Sequence, residues 1–427
     1  ANTVRLNTLK TQLSALGPVP EEGSEPEDIA SRRTTLKSEI ETLNAPRIRA
    51  KEAFERAEGL IREIDAALSA QQAAILMRLG PSPLDVRIWP SAMGQLTEAL
   101  QVVIGSVSAA WNTPVVREEI RDNLPVILSL LLAASLLMTQ GRRWMVHVSL
   151  TLNRAESPYA NKFASYLRSL GQLAIVILSL HLLARAWDIS RLHGNDLAFL
   201  LEHAVWILAP FFGSRWMGKR LFPLDSLTQI PVPLQAGLRP QARLITHWLG
   251  LIVSVQVFMG YLRDAGDFNN GTIAVYSFIL VLIASVATFR LGIMIWKSIT
   301  GAADDQSIAK STNRLITRLG QAIIVVSVIS LGLAVVGYSD AADALLFSSL
   351  FSAGLLAVLF VTFEAVRDLC GMLASDEASG HDGLTAVVIN ATLILMSLPV
   401  FALIWGARVS QLTELWTQFK TGVTLGD

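Results

Sequence analysis

The chain has 427 residues, 52% of them apolar and only 16% charged, with no net charge at neutral pH and a mean hydropathy of +0.46. A soluble chain carries about 25% charge, so this composition points to a membrane protein. Neutrality without one concentrated basic face argues against nucleic acid as a partner, and the single Cys370 excludes an internal disulfide framework.

Residues 1–122 read as soluble and helical. An Asn2 cap opens a first helix ending near Gly17 and Pro18, followed by an acidic, turn-rich linker. A second helix places Leu36, Ile40 and Leu43 on one stripe. Pro46 reads as a restart in the first turn of a third helix, which runs through Leu60, Ile64 and Leu68 to Gly80 and Pro81. Residues 91–110 form a fourth, amphipathic helix. Such stripes bury only against one another, predicting a small antiparallel, coiled-coil-like bundle that serves as a spacer or binds a ligand. A hydrophilic segment that must be translocated, opening at Ala1, implies a removed signal peptide.

From Thr113 and Pro114 a helix leads into the first of about eight expected membrane spans, near 124–138, 170–186, 197–217, 244–262, 271–289, 319–338, 345–366 and 384–407. The clearest is GTIAVYSFILVLIASVATF (271–289), which carries no charge. Arg290, Lys297, Lys310, Arg314 and Arg318 follow it, while Asp264, Asp267 and a lone Arg263 precede it. The positive-inside rule therefore runs this span from outside to cytoplasm. Alternate loops repeat the bias. Arg142, Arg143, Arg154, Lys162, Lys219, Arg220, Arg239, Arg243 and Arg367 fall inside, against Arg185 and Arg191 outside. The fold class expected is all-α: a polytopic membrane protein with a soluble helical bundle (1–122), a membrane domain (123–407) and a short amphipathic connector (408–427). The charge asymmetry places the bundle and residue 408 outside the cytoplasmic membrane.

Few constellations suggest chemistry. Gly213 to Arg220 resembles a phosphate-binding loop, but Arg220 stands where Ser or Thr must hold magnesium, and a membrane helix precedes it instead of a strand. A basic helix end among lipid headgroups explains it better, and the same role is expected of Arg142, Arg143, Arg215, Lys219, Arg220, Arg290 and Lys297. His181 and Arg185 share a helix face, and Glu202 and His203 stand at a similar depth on the next span. They make either a structural pairing across the hairpin or an ion or proton site. Glu364 and Arg367 read as an interfacial pair, and Gly250, Ser254, Gly332 and Gly337 as small positions for close helix approach. No spacing supports a metal site, a cofactor or a catalytic centre.

Three segments together carry a resemblance: LSALGPVPEEG (13–23), RIWPSAMGQL (87–96) and IWGARVSQLTELW (404–416). They look like the large-form bacterial channels of the small-conductance mechanosensitive family, over essentially the whole chain. The resemblance implies a homo-oligomer of the bacterial inner membrane with a periplasmic N-terminal domain, a heptamer in that family, which opens under membrane tension and releases ions and small solutes on hypo-osmotic shock. The family's Gly/Ala-rich pore helix and cytoplasmic β domain have no counterpart here, so the chain corresponds to the peripheral tension-sensing part, with membrane lipids as its partners. A secondary transporter and a non-conducting envelope scaffold are the alternatives.

Overall fold

The computed structural model describes residues 2–18, 26–152, 158–192, 200, 202–224, 232, 234–265, 268–300, 307–373 and 383–421. Among them all regular structure is helical. Compact packing divides the chain into two units, 1–75 and 76–427.

The first unit holds α1 (Asn2–Ala15) and nearly all of α2 (Glu27–Leu76). Helix α1 ends at Gly17, whose φ of +72° only glycine adopts without strain. Arg33 closes the corner by donating to the carbonyls of Leu16 and Gly17, and Leu6, Leu9 and Leu36 are buried. The restart expected at Pro46 is absent, since α2 runs through it without a break. A proline in a helix interior forfeits one hydrogen bond and crowds the preceding turn, yet a helix this long has enough other bonds to carry it. Beyond Pro46 the apolar stripe of α2 (Phe54, Leu60, Ile61, Ile64) is exposed.

The second unit opens with residues 76–88 and α3 (Trp89–Asn112). This boundary precedes the expected one at 122 because α3 packs on the membrane helices. Its Val103 and Val107 pack against the buried Leu200 and Ile207, which Val257, Phe258 and Tyr261 of the membrane helices also cover. Helix α4 (Pro114–Leu152) starts with proline, where a missing N–H costs nothing, and continues unbroken through the first span. Then come α5 (Pro158–Ser190), α6 (Ala204–Leu221), α7 (Arg239–Ala265), α8 (Asn270–Thr300), α9 (Ser307–Val336), α10 (Ser339–Leu373), α11 (Leu384–Ile404) and the amphipathic α12 (Val409–Thr421).

Seven of these, α4, α5, and α7 to α11, are long and apolar enough to cross a membrane, so this is a multi-pass membrane protein. The eighth expected span, 197–217, corresponds to α6, whose 18 residues make about 27 Å of helix. Residues 197–199 and 201 lie outside the described residues. Helix α6 lies antiparallel against α7 along most of its length. Gly218 faces Arg243 and Thr246, Ser214 and Pro210 face Gly250, Ser254 accepts the Phe211 N–H over 3.1 Å, and the His203 ring lies 4.4 Å from that of Tyr261. So α6 reaches the same depth as its neighbour.

Contacts between helix ends fix the alternation. At one end Glu119 meets Arg191, Arg263 meets Asp340, and Gln95 accepts from Asn269 and Thr272. At the opposite end Arg220 reaches Ser165 and Ser169, Arg290 donates to Gln241, and Gly371 presses on the Tyr159 ring. Most basic residues of the membrane helices gather at this second end.

The core lies among α7, α8, α9 and α10, where Leu249, Val253, Val281, Ala334, Leu346 and Phe347 interdigitate. Small residues let the backbones approach. A methyl on Gly292 would stand 3.0 Å from the Gly320 carbonyl oxygen. Packing thins outward. In the most apolar window of α7 and of α8, 33% of residues are buried, against 11% in α4 and 6% in both α5 and α11.

Candidate functional site

Where the first-named ends of α8 and α10 meet the last turns of α7, a polar cluster is built from three helices. Gln256 and Arg263 lie two turns apart on α7, and Asp340 and Asp343 one turn apart on α10, so each pair shares a face. Ser277, buried on α8, donates to Asp343 Oδ1 over 2.8 Å, and Gln256 Nε2 donates to Oδ2 over 3.1 Å. Arg263 Nη1 pairs with Asp340 Oδ1 at 3.2 Å. The buried Tyr276 stands beside Arg263 and 6.4 Å, ring to ring, from Phe268.

The electrostatics are lopsided. Two carboxylates face one guanidinium, and both donors that reach Asp343 directly are neutral. A carboxylate accepts about four hydrogen bonds, and the two named leave lone pairs over. Gln256 Oε1 is buried with no partner at all. The cluster therefore has an excess of acceptors, which disfavours an isolated structural role: an unsatisfied buried acceptor costs about 1–3 kcal/mol. An ionisable group within a membrane-spanning helix is a functional candidate for the same reason.

The residues singled out from sequence sit elsewhere. Exposed Arg185 pairs with Asp188 of its own helix at 3.1 Å, and His181 on the same face is exposed. Glu202 is exposed, and the His203 ring lies against that of Tyr261 of α7, tilted by 37°. Gly213 to Arg220 is continuous α6 helix, which leaves no loop to cradle a phosphate.

Of the basic positions, Arg143, Arg215, Lys219, Arg290 and Lys297 are exposed; the Arg142 side chain lies outside the described residues. Arg220 differs. It is half-buried, donates through Nε to Ser169 Oγ over 2.8 Å and through Nη2 to the Ser165 carbonyl, and lies 5.8 Å from the Tyr166 ring. Trp216 Nε1 donates to the same Ser169 hydroxyl over 3.2 Å. Arg220 is therefore a clamp between α5 and α6. Glu364 and Arg367 pair at 3.8 Å as expected.

In the sequence Asp343 falls between the expected spans 319–338 and 345–366, among residues that loops normally carry. The available signal is depth: Gln256, Ser277 and Asp343 are polar interruptions of three apolar spans, each within a few turns of the same end.

Residues 47–104 match one family model, described as a protein of unknown function (DUF3772). The match covers the second half of α2 and most of α3, and none of the membrane-crossing helices. No curated protein and no solved structure matches the chain.

Proposed function

We propose that the chain is the peripheral, tension-sensing part of a mechanosensitive channel subunit in a bacterial inner membrane. In this reading its 1–75 unit is periplasmic, and the whole works as a homo-oligomer. The supporting observation is the gradient of packing. Helices α7 and α8 form a buried centre, while only 11% of the apolar window of α4 and 6% of those of α5 and α11 is fully buried. In lipid, helices gain no hydrophobic drive from one another. Loosely seated hairpins can therefore shift when the bilayer thins, biasing the population towards a state of larger in-plane area. The orientation rests on the basic residues gathered at one end of the helices. Pore-lining helices must come from outside these residues, so the reading requires a natively expressed polypeptide well above 46.4 kDa.

The test is pressure-clamp recording on liposomes that hold the natively expressed protein. Tension-activated conductance supports the reading, and deletion of 124–300 should move its threshold. An unchanged threshold after that deletion removes the sensing role. The Asp343 cluster favours one other reading, a secondary transporter, which solute flux without applied tension would support.

A further inference from the structure

Beside the Asp343 cluster the surface holds a notch with a volume of about 560 Å³. It exists because α11 stops short: the Ile404 carbonyl accepts from Ser348 Oγ over 3.0 Å, more than two turns along α10 from its start at Ser339. Above that junction α10 has no neighbour from α11, and the space is lined by Asp343 and Gln256 at one end and by Phe347, Phe351, Val400 and Leu403 towards the other.

Asp343, Phe347 and Phe351 follow at i, i+4 and i+8, so one stripe of α10 runs from a carboxylate to two aromatic rings. Phe351, Val400 and Leu403 are each about 40% exposed, so the apolar end opens sideways, where a membrane helix faces acyl chains. The polar end offers acceptors. Asp343 keeps unused lone pairs, and Gln256 Oε1 has no partner.

We propose that this notch binds a phospholipid with a primary-amine headgroup, its ammonium on Asp343 and Gln256 Oε1 and an acyl chain along Phe347 and Phe351. Three N–H donors on a cation match a carboxylate and an orphaned amide oxygen. A quaternary ammonium keeps the charge and lacks the donors. An anionic headgroup meets Asp343 and, one turn away, Asp340. The inference requires α10 and α11 to face lipid and is independent of tension gating.

The test is native mass spectrometry of the delipidated full chain, incubated separately with dioleoyl phosphatidylethanolamine, phosphatidylcholine and phosphatidylglycerol. Wild type should retain one phosphatidylethanolamine per chain at least about tenfold better than phosphatidylglycerol, with phosphatidylcholine between them. Asp343→Asn should erase the preference, and Leu403→Trp, which fills the apolar end and spares the carboxylate, should abolish retention of that one lipid. Free phosphoethanolamine at equal concentration should not displace it, because the chain contacts are missing. Equal retention of all three lipids, or a preference unchanged in both variants, overturns the proposal. Should Asp343→Asn fail to fold, Leu403→Trp decides alone.

Discussion

The Gly80 N–H donates to the carbonyl of Gly337 over 3.0 Å, and this one bond ties the segment before α3 to the last turn of α9. Gly337 takes a φ of +114°, which lets its own N–H and that of Tyr338 both return to the Leu333 carbonyl and so close the helix end. Ser82 adds a second tie, its hydroxyl donating to the Val335 carbonyl over 3.0 Å. The stretch 80–96 is thus fastened at one end to α9 and, through Gln95, to the start of α8.

Gly337→Ala is the sharpest probe of that fastening. The new methyl would lie 2.7 Å from the Gly80 carbonyl oxygen, in a backbone region that L-residues avoid at about 1–3 kcal/mol. Gly80→Ala places its methyl at an ordinary 3.4 Å from the Gly337 oxygen and should cost much less. Thermal unfolding in detergent should rank the two accordingly; an equal loss of stability would mean that the joint is not formed.

The α6 and α7 seam makes a second prediction. A methyl on Gly250 would collide with Ser214 Oγ and fall 2.8 Å from the Pro210 carbonyl oxygen. The serine can be removed and the carbonyl cannot, so Gly250→Ala should destabilise by about 1–3 kcal/mol and Ser214→Gly should recover only part of that. A double-mutant cycle measures the coupling. Strict additivity would show that the two helices do not cross at these residues.

Much of the scaffold is legible in the sequence, for a physical reason. A bilayer imposes length and apolarity on each crossing helix, and the basic residues between spans are read directly from composition. What escapes is set by partners distant in sequence. Residues 91–110 look like one more arm of a soluble bundle because the stripe of Val103 and Val107 is visible and its cover, Leu200 and Ile207, is not. Arg220 looks like any basic helix end until Ser165 and Ser169 stand opposite it. Asp343 gains meaning only when Gln256 and Ser277 from two other helices reach its carboxylate.

Pro46 supplies a test in the other unit. It is exposed and interior to α2, so Pro46→Ala restores a backbone donor without disturbing a packed neighbour. Helix stability should rise by about 3 kcal/mol, seen as slower hydrogen exchange through residues 40–52. Unchanged exchange there would argue for a break at the proline, as the sequence pattern suggests.

The last prediction joins packing to the proposed gating. Ser169 Oγ accepts from both Arg220 Nε and Trp216 Nε1, at 2.8 and 3.2 Å. With the Ser165 carbonyl it holds the α4–α5 hairpin to α6. Ser169→Ala leaves the indole without its hydroxyl acceptor and the guanidinium with only the carbonyl, a loss of about 1–3 kcal/mol at a half-buried contact. If the hairpin is the element that tension displaces, this loss falls on the resting state, and the channel should open at lower tension. Arg220→Lys keeps the charge and loses the fork that reaches two oxygens at once, so it should lower the threshold in the same direction. Pressure-clamp thresholds and unfolding temperatures of the same variants separate the two roles. A fall in both is the expected result. A fall in unfolding temperature with the wild-type threshold would make the clamp purely structural, and the moving element would then have to be sought in α11, which rests on α10 and has as small a fully buried share as α5.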